Sequence, residues 1–133
     1  MENYFENHKK YNKVLFKYLG YEGTDVDYKQ FTPHDSILGF EILRWVMHKI
    51  MFNPPSGSQI KIITYMKKDE CEIYIQQWHD VSRTGGYVNV VHCKEICDLN
   101  GDVTEKKIFE EAILQLSHRA TYNACVDYII KTS

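Results

Sequence analysis

One segment of this sequence combines residue types that could support catalysis. It reads His79-Asp80-Val81-Ser82-Arg83, and Tyr87 and His92 follow it on the next predicted strand. Histidine and tyrosine can act as general base and acid, and arginine can stabilise negative charge. His79, Arg83, Tyr87 and His92 could therefore cleave RNA without a metal ion. Because adjacent loop residues point in different directions, we expect a solvated turn and keep a small ribonuclease-like enzyme as the alternative function.

A second segment raises the question of a metal site. It reads His92-Cys93-Lys94-Glu95-Ile96-Cys97. Structural zinc sites commonly combine two ligand pairs with CxxC-type spacing, whereas here three residues separate the cysteines and no second pair exists. Cys71 and His79 could converge on the segment, but the sequence favours no metal and no cofactor. It contains no Walker loop, GxGxxG, HExxH or EF-hand pattern. We expect reduced thiols at all four cysteines, which are Cys71, Cys93, Cys97 and Cys125.

Three predicted strands would position these residues. Each is rich in β-branched and aromatic residues, and they span Gln59–Met66, Cys71–Trp78, and Tyr87 to Cys93 or Ile96. The short connections between them favour an antiparallel meander. Pairing across the Lys67–Glu70 turn creates one apolar face, on which we predict Val88 and Val90. Val91 is then predicted on the opposite face.

The opposite face of the predicted sheet combines aromatic and polar side chains. With Trp78 opposite Tyr87, this face carries Tyr65, Glu72, Tyr74, Gln76, Trp78, Tyr87 and Asn89. Aromatic rings that carry polar atoms are typical of protein interfaces. The pattern leaves two interpretations open, a binding surface and a face covered by another helix. Acidic residues around aromatic anchors would suit a basic partner.

Helical patterns lie on both sides of the predicted strands. Residues 2–19 have helical spacing of apolar residues, and Gly20 can end that helix. A second helix is predicted from Thr32 to about Met51, apolar almost all round and therefore with Trp45 buried. Its narrow polar stripe is Glu41, Arg44 and His48.

A last helical pattern begins at Thr104 and runs to about residue 131, with a break at Ser117-His118 as an alternative. The predicted fold class is therefore α+β, with the order α-α-β-β-β-α and a further α if the helix breaks. A length of 133 residues and the absence of a linker indicate one domain over residues 1–133.

Composition narrows the class of protein. There is no secretory signal pattern and no apolar run long enough to span a membrane, so we expect a cytoplasmic protein. The net charge of −2 makes a nucleic-acid partner unlikely, although Lys9, Lys10, Lys13 and Lys17 form a local basic cluster.

The leading functional hypothesis is a non-enzymatic protein-binding module. Its most concrete form is a small immunity or inhibitor protein that neutralises a toxin or an enzyme. The first alternative is the ribonuclease described above. The second is a self-associating structural subunit that uses the aromatic sheet face to form a homodimer.

Overall fold

A computed structural model of the chain describes residues 3–20, 37–54, 58–67, 69–79, 85–96 and 114–133. The elements are α1 (His8–Tyr18), α2 (Ile37–Phe52), β1 (Ile60–Met66), β2 (Glu70–His79), β3 (Gly86–Ile96) and α3 (Leu114–Thr132). The predicted α+β domain with the order α-α-β-β-β-α is confirmed. The predicted helix starts at Thr32 and Thr104, as well as Arg83 and Cys97, lie outside the described residues.

The three strands form one antiparallel sheet in the order β1-β2-β3. The register of β1 and β2 is the predicted one, with Ile62 opposite Ile75 and Tyr65 opposite Glu72. The backbone N–H of Lys67 donates to the carbonyl of Glu70 at 2.8 Å and closes the turn. Because side chains alternate along a strand, this tight turn fixes which residues of both strands face the core.

A β-bulge interrupts the pairing of β2 with β3. Ile75 pairs with Val91 whereas the next residue, Gln76, pairs with Asn89, so Val90 is the extra residue. The prediction was wrong for Val91, which lies in the core and is 1% exposed. Val88 pairs with Gln77 and so lies on the same face as Ile75, as predicted, although it is 50% exposed there. Val90 packs at the margin of the core. A bulge shifts the alternation of side chains by one residue. The β3 residues beyond Val90 therefore lie on the opposite face from the one that regular alternation predicts.

Helix α3 is the centre of the molecule. Its residues 120–129 are all buried. It packs on β2 and β3 and also contacts α1 and α2, while α2 packs on β1. A helix enclosed on several sides needs small or apolar residues on more than one side, which explains Ala120, Ala124 and Val126. The helix continues through Ser117 and His118, so the alternative break at these residues does not occur.

Polar contacts tie helix α1 and the turn before it to α3. The chain makes a turn before His8, so the helix begins later than residue 2. The backbone N–H of Phe5 donates to Asn123 Oδ1 at 2.7 Å. Further along, Tyr122 Oη donates to Asn12 Oδ1 at 2.7 Å. Gly20 ends the helix as predicted, with a φ of +92° that favours glycine.

Helix α2 covers the core with one side only. Ile42, Leu43, Val46 and Ile50 are buried. On its other side Arg44 and His48 are exposed, and so is Trp45, which is 45% exposed. The prediction of a buried Trp45 was wrong, because α2 lies at the β1 side of the core. In the described part of the chain, neither this helix nor any other is long and apolar enough to cross a membrane.

Candidate functional site

The sheet has one face packed against the helices and a second face on which none of the described helices packs. We call the second one the open face. Cys71, Ile73 and Ile75 lie on the helix-packed face and belong to the core. The even-numbered residues of β2, which alternate with them, therefore lie on the open face. The seven residues that the sequence analysis predicted as a binding surface lie on this face, whereas Val91 does not: Tyr65, Glu72, Tyr74, Gln76, Trp78, Tyr87 and Asn89.

The bulge brings two residues to the open face that the sequence analysis did not place there. Beyond Val90 the alternation is shifted, so His92 pairs opposite Tyr74 and Lys94 pairs opposite Glu72. Both side chains are exposed. A signal for this was present in the sequence, because Tyr87 and Asn89 stand at odd positions whereas His92 and Lys94 stand at even ones.

Three aromatic rings form a cluster near the β1–β2 turn. The rings of Tyr74 and His92 are stacked, with centroids 4.4 Å apart and planes 5° apart. Tyr65 meets Tyr74 edge-on at 5.6 Å. Tyr74 Oη donates to Glu72 Oε2 at 2.6 Å, so the phenol is fixed at its far end as well. Tyr65 is 56% exposed and is the most accessible ring of this cluster.

The carboxylates of the open face lie close to Lys94 and His92. Lys94 Nζ lies 3.2 Å from Glu70 Oε1 and 3.8 Å from Glu72 Oε1. His92 Nε2 lies 3.4 Å from Glu72 Oε2. The hydrogen bond from Tyr74 is the main cause that lowers the pKa of Glu72, and the same bond raises the pKa of Tyr74 because it favours the protonated phenol.

These contacts change the expected charge of the surface. Three lysines, Lys61, Lys67 and Lys94, share the described part of the open face with Glu70 and Glu72. A basic partner was expected from the acidic residues of this face, but the bulge also brings Lys94 to it. The arrangement gives no preference for a basic partner.

A second aromatic pair lies at the opposite end of the open face. Trp78 and Tyr87 meet edge-on with centroids 5.1 Å apart. Lys61 Nζ lies 3.9 Å from the centroid of the Tyr87 ring, a cation–π contact. Tyr87 Oη donates to Gln59 Oε1 at 3.2 Å. These contacts hold both rings in place before any partner binds.

A polar bridge joins the two ends of the face. Gln76 Nε2 donates to Asn89 Oδ1 at 2.8 Å. Beside this bridge lies an open depression of about 470 Å³, lined by Tyr65, Lys67, Glu70, Glu72, Tyr74, Gln76 and Asn89. A depression between aromatic rings can accept a protruding side chain of a partner.

The register does not bring the proposed catalytic residues together. His79 pairs with Gly86 and lies on the face opposite to Tyr87 and His92. Tyr87 and His92 share the open face but are separated by about four strand positions, roughly 13 Å. Arg83 is outside the described residues. The register therefore does not gather the described members of this set at one point of the sheet.

The cysteine segment is likewise divided between the two faces. Cys93 is buried on the helix-packed side, whereas His92 lies on the open face. Burial raises the pKa of Cys71 to about 11 and those of Cys93 and Cys125 to about 12. All three are free thiols. Within the described ranges, no group of three histidine, cysteine or acidic side chains could hold a metal ion.

The open face thus offers fixed aromatic rings, paired charges and amide groups, a combination suited to binding another surface. Comparison of the chain with protein-family models, with curated proteins and with solved structures found no match.

Proposed function

We propose that this chain is a non-enzymatic protein-binding domain whose open face receives the partner. The observation that carries the proposal is a row of partly exposed aromatic rings, Tyr65, Tyr74, Trp78 and Tyr87, on a sheet face without a described helix. Tyrosine and tryptophan supply much of the binding energy of protein interfaces because they combine large apolar area with a polar atom.

The rings of the open face are held in place, which favours binding. Tyr74 is fixed by Glu72 and His92, and Tyr87 is fixed by Gln59 and Lys61. Ordering a flexible side chain at an interface costs about 0.5–1.5 kcal/mol. Side chains that are already ordered avoid most of this cost, so more of the contact energy appears as affinity.

The size of the face favours one element of a foreign partner over a second copy of this chain. Three strands span about 10 Å between the outer backbones, and the ten residues of β2 extend about 33 Å. This footprint matches one helix, which is about 10 Å wide. Homodimer interfaces are usually larger and more apolar than a strip that carries Glu70, Glu72 and Lys94.

The narrower form of the proposal is an inhibitor or immunity protein. It adds one requirement, namely that the partner is a toxin or an enzyme whose activity falls when the open face binds it. The aromatic face supports partner binding in general, and this requirement needs its own activity measurement on the captured partner.

The test compares aromatic truncations on and off the open face. Tyr65→Ala and Trp78→Ala remove rings from the face, whereas Trp45→Ala removes an exposed ring from α2 and serves as the matched control. Immobilised wild-type protein and the variants are incubated with lysate of the source cells, and the captured proteins are compared. We expect Tyr65→Ala and Trp78→Ala each to weaken capture of the same partner by at least about 30-fold, equivalent to ~2 kcal/mol, while Trp45→Ala retains it.

Two results would contradict the proposal. Equal capture by all variants would place the binding surface elsewhere. A concentration-dependent dimer in sedimentation that Tyr65→Ala dissociates would favour the self-associating subunit instead. Thermal melts of each variant separate lost binding from lost folding.

A further inference from the structure

A stripe of lysines covers the outer side of α1. Lys10, Lys13 and Lys17 are all exposed. The opposite side of the helix is buried through Tyr11, Leu15 and other residues, and this packing fixes the rotation that points the lysines outwards. The spacing of three and four residues places successive lysines one helical turn apart, so the stripe is about 10 Å long.

The positive charges of this stripe are not neutralised by the part of the chain that the structure describes. Among the described residues, no carboxylate lies within ion-pair distance of Lys10, Lys13 or Lys17. Lys10 Nζ lies 5.2 Å from the centroid of the Tyr11 ring, a contact that leaves its charge uncompensated. Like charges at this spacing destabilise a helix, and a bound polyanion would relieve their repulsion.

Charge is strongly segregated along the chain. Helix α1 contains four lysines and no acidic residue, which contributes +4. The whole chain carries −2, so the residues outside α1 sum to −6. The overall charge, which argues against a nucleic-acid partner, therefore conceals a local basic surface. Such asymmetry is typical of segments that contact nucleic acid or a membrane.

We infer that the lysine stripe of α1, Lys10, Lys13 and Lys17, binds the phosphate backbone of nucleic acid without sequence preference. Lysine acts as a point charge on phosphate, and the outer side of α1 presents no ring to stack on bases. A membrane is less suitable, because the apolar side chains of α1 that could insert are buried in the core. A protein partner is also less suitable, because interface cores are depleted in lysine.

The experiment measures anisotropy of a fluorescein-labelled 20-base-pair DNA duplex over a range of salt concentrations. The test variant is K10Q/K13Q/K17Q. The control is K61Q/K67Q/K94Q, which removes the same charge from the open face. For wild type we expect weak binding, with a slope of log affinity against log salt of about −2.7 for three phosphate contacts. The α1 variant should lose at least about tenfold in affinity at low salt, and the control should stay within about threefold of wild type.

Each other outcome overturns the inference. No binding by wild type, an equal loss in both variants, or a loss confined to the open-face control would each contradict a site on α1. Vesicles of phosphatidylserine and phosphatidylcholine form a second arm, and polyglutamate a third. Binding to either of these probes without binding to the duplex would assign the stripe to a membrane or to an acidic protein. The lysines of α1 are not part of the open face, so this test is independent of the proposed protein-binding site.

Discussion

The backbone of Gly85 lies directly against the indole of Trp78. A β-carbon added at Gly85 would stand 2.1 Å from Cζ2 of Trp78, too close for two carbon atoms. The indole therefore occupies the space that any other residue at position 85 would fill. Gly85 determines the orientation of one of the aromatic rings of the open face.

Gly85→Ala should displace the Trp78 ring. We expect a loss of about 1–3 kcal/mol in the free energy of unfolding, as for other overpacked positions, and a changed near-ultraviolet circular dichroism signal. Gly86→Ala is the matched control, because an added β-carbon there meets nothing within 4 Å. An unchanged Trp78 signal in Gly85→Ala would show that the indole does not rest on this glycine.

Trp45→Ala should be less damaging than the truncation of a buried aromatic residue. Trp45 is 45% exposed, whereas Tyr122 is fully buried. Removing a buried large aromatic costs about 3–5 kcal/mol, so we expect roughly half of this for Trp45→Ala and the full amount for Tyr122→Ala. Urea denaturation of both variants provides the comparison. An equal cost would place Trp45 in the core after all.

Glu72 and Glu95 should give the stability of the protein opposite pH dependences. The hydrogen bond from Tyr74 lowers the pKa of Glu72, so its contribution is present above the unfolded pKa of about 4.3 and is lost as pH falls through the lower folded pKa. Burial raises the pKa of Glu95. The contribution of its carboxyl to stability is therefore fully present below the unfolded pKa and is lost as pH rises through the higher folded pKa.

The measurement is the free energy of unfolding of wild type, Glu72→Gln and Glu95→Gln between pH 3 and pH 7. The deficit of Glu72→Gln relative to wild type should grow as pH rises, and Glu95→Gln should gain relative to wild type over the same interval. Parallel pH profiles for all three proteins would mean that neither carboxyl changes its pKa on folding.

The thiols of Cys71, Cys93 and Cys125 should be unreactive in the folded protein. Their raised pKa values leave almost no thiolate at pH 8, and all three are buried. In a Cys97→Ser background, a disulfide reagent should label these thiols only after denaturant is added. Rapid labelling of the native variant would show that the core opens readily. Wild type in denaturant should give four thiols, the number of cysteines in the sequence.

The sequence predicted most of the sheet because alternation and a short turn are strong local signals. Pairing Tyr65 with Glu72, and Trp78 with Tyr87, was correct. The bulge at Val90 escaped prediction because Val90 and Val91 are equally apolar, so their types do not say which one faces the core. The polar residues at positions 92 and 94 were the clue.

The helices were predicted less completely because their environment depends on tertiary packing. An apolar circumference led to the prediction that α2 is buried, but it is α3 that the other elements enclose. Arg44 and His48 did mark the exposed side of α2. This exposed side is wider than the polar stripe and includes Trp45, because its width depends on how much of the helix packs against the sheet. No local pattern in the sequence specifies a partner for the open face, because recognition depends on the surface that the folded sheet presents.

The enclosed position of α3 has a consequence for how the chain folds. This helix follows every other described element along the sequence, yet its contacts reach back to the beginning: Tyr4 bonds Asp127 across 123 positions, and Asn12 bonds Tyr122 across 110. During synthesis, α1 and the sheet emerge before the helix that fills the space between them. Loop-closure entropy is lost before such distant contacts form, so the topology favours late and cooperative completion of the core. A chain that ends before residue 114 should expose the apolar side of its sheet and aggregate.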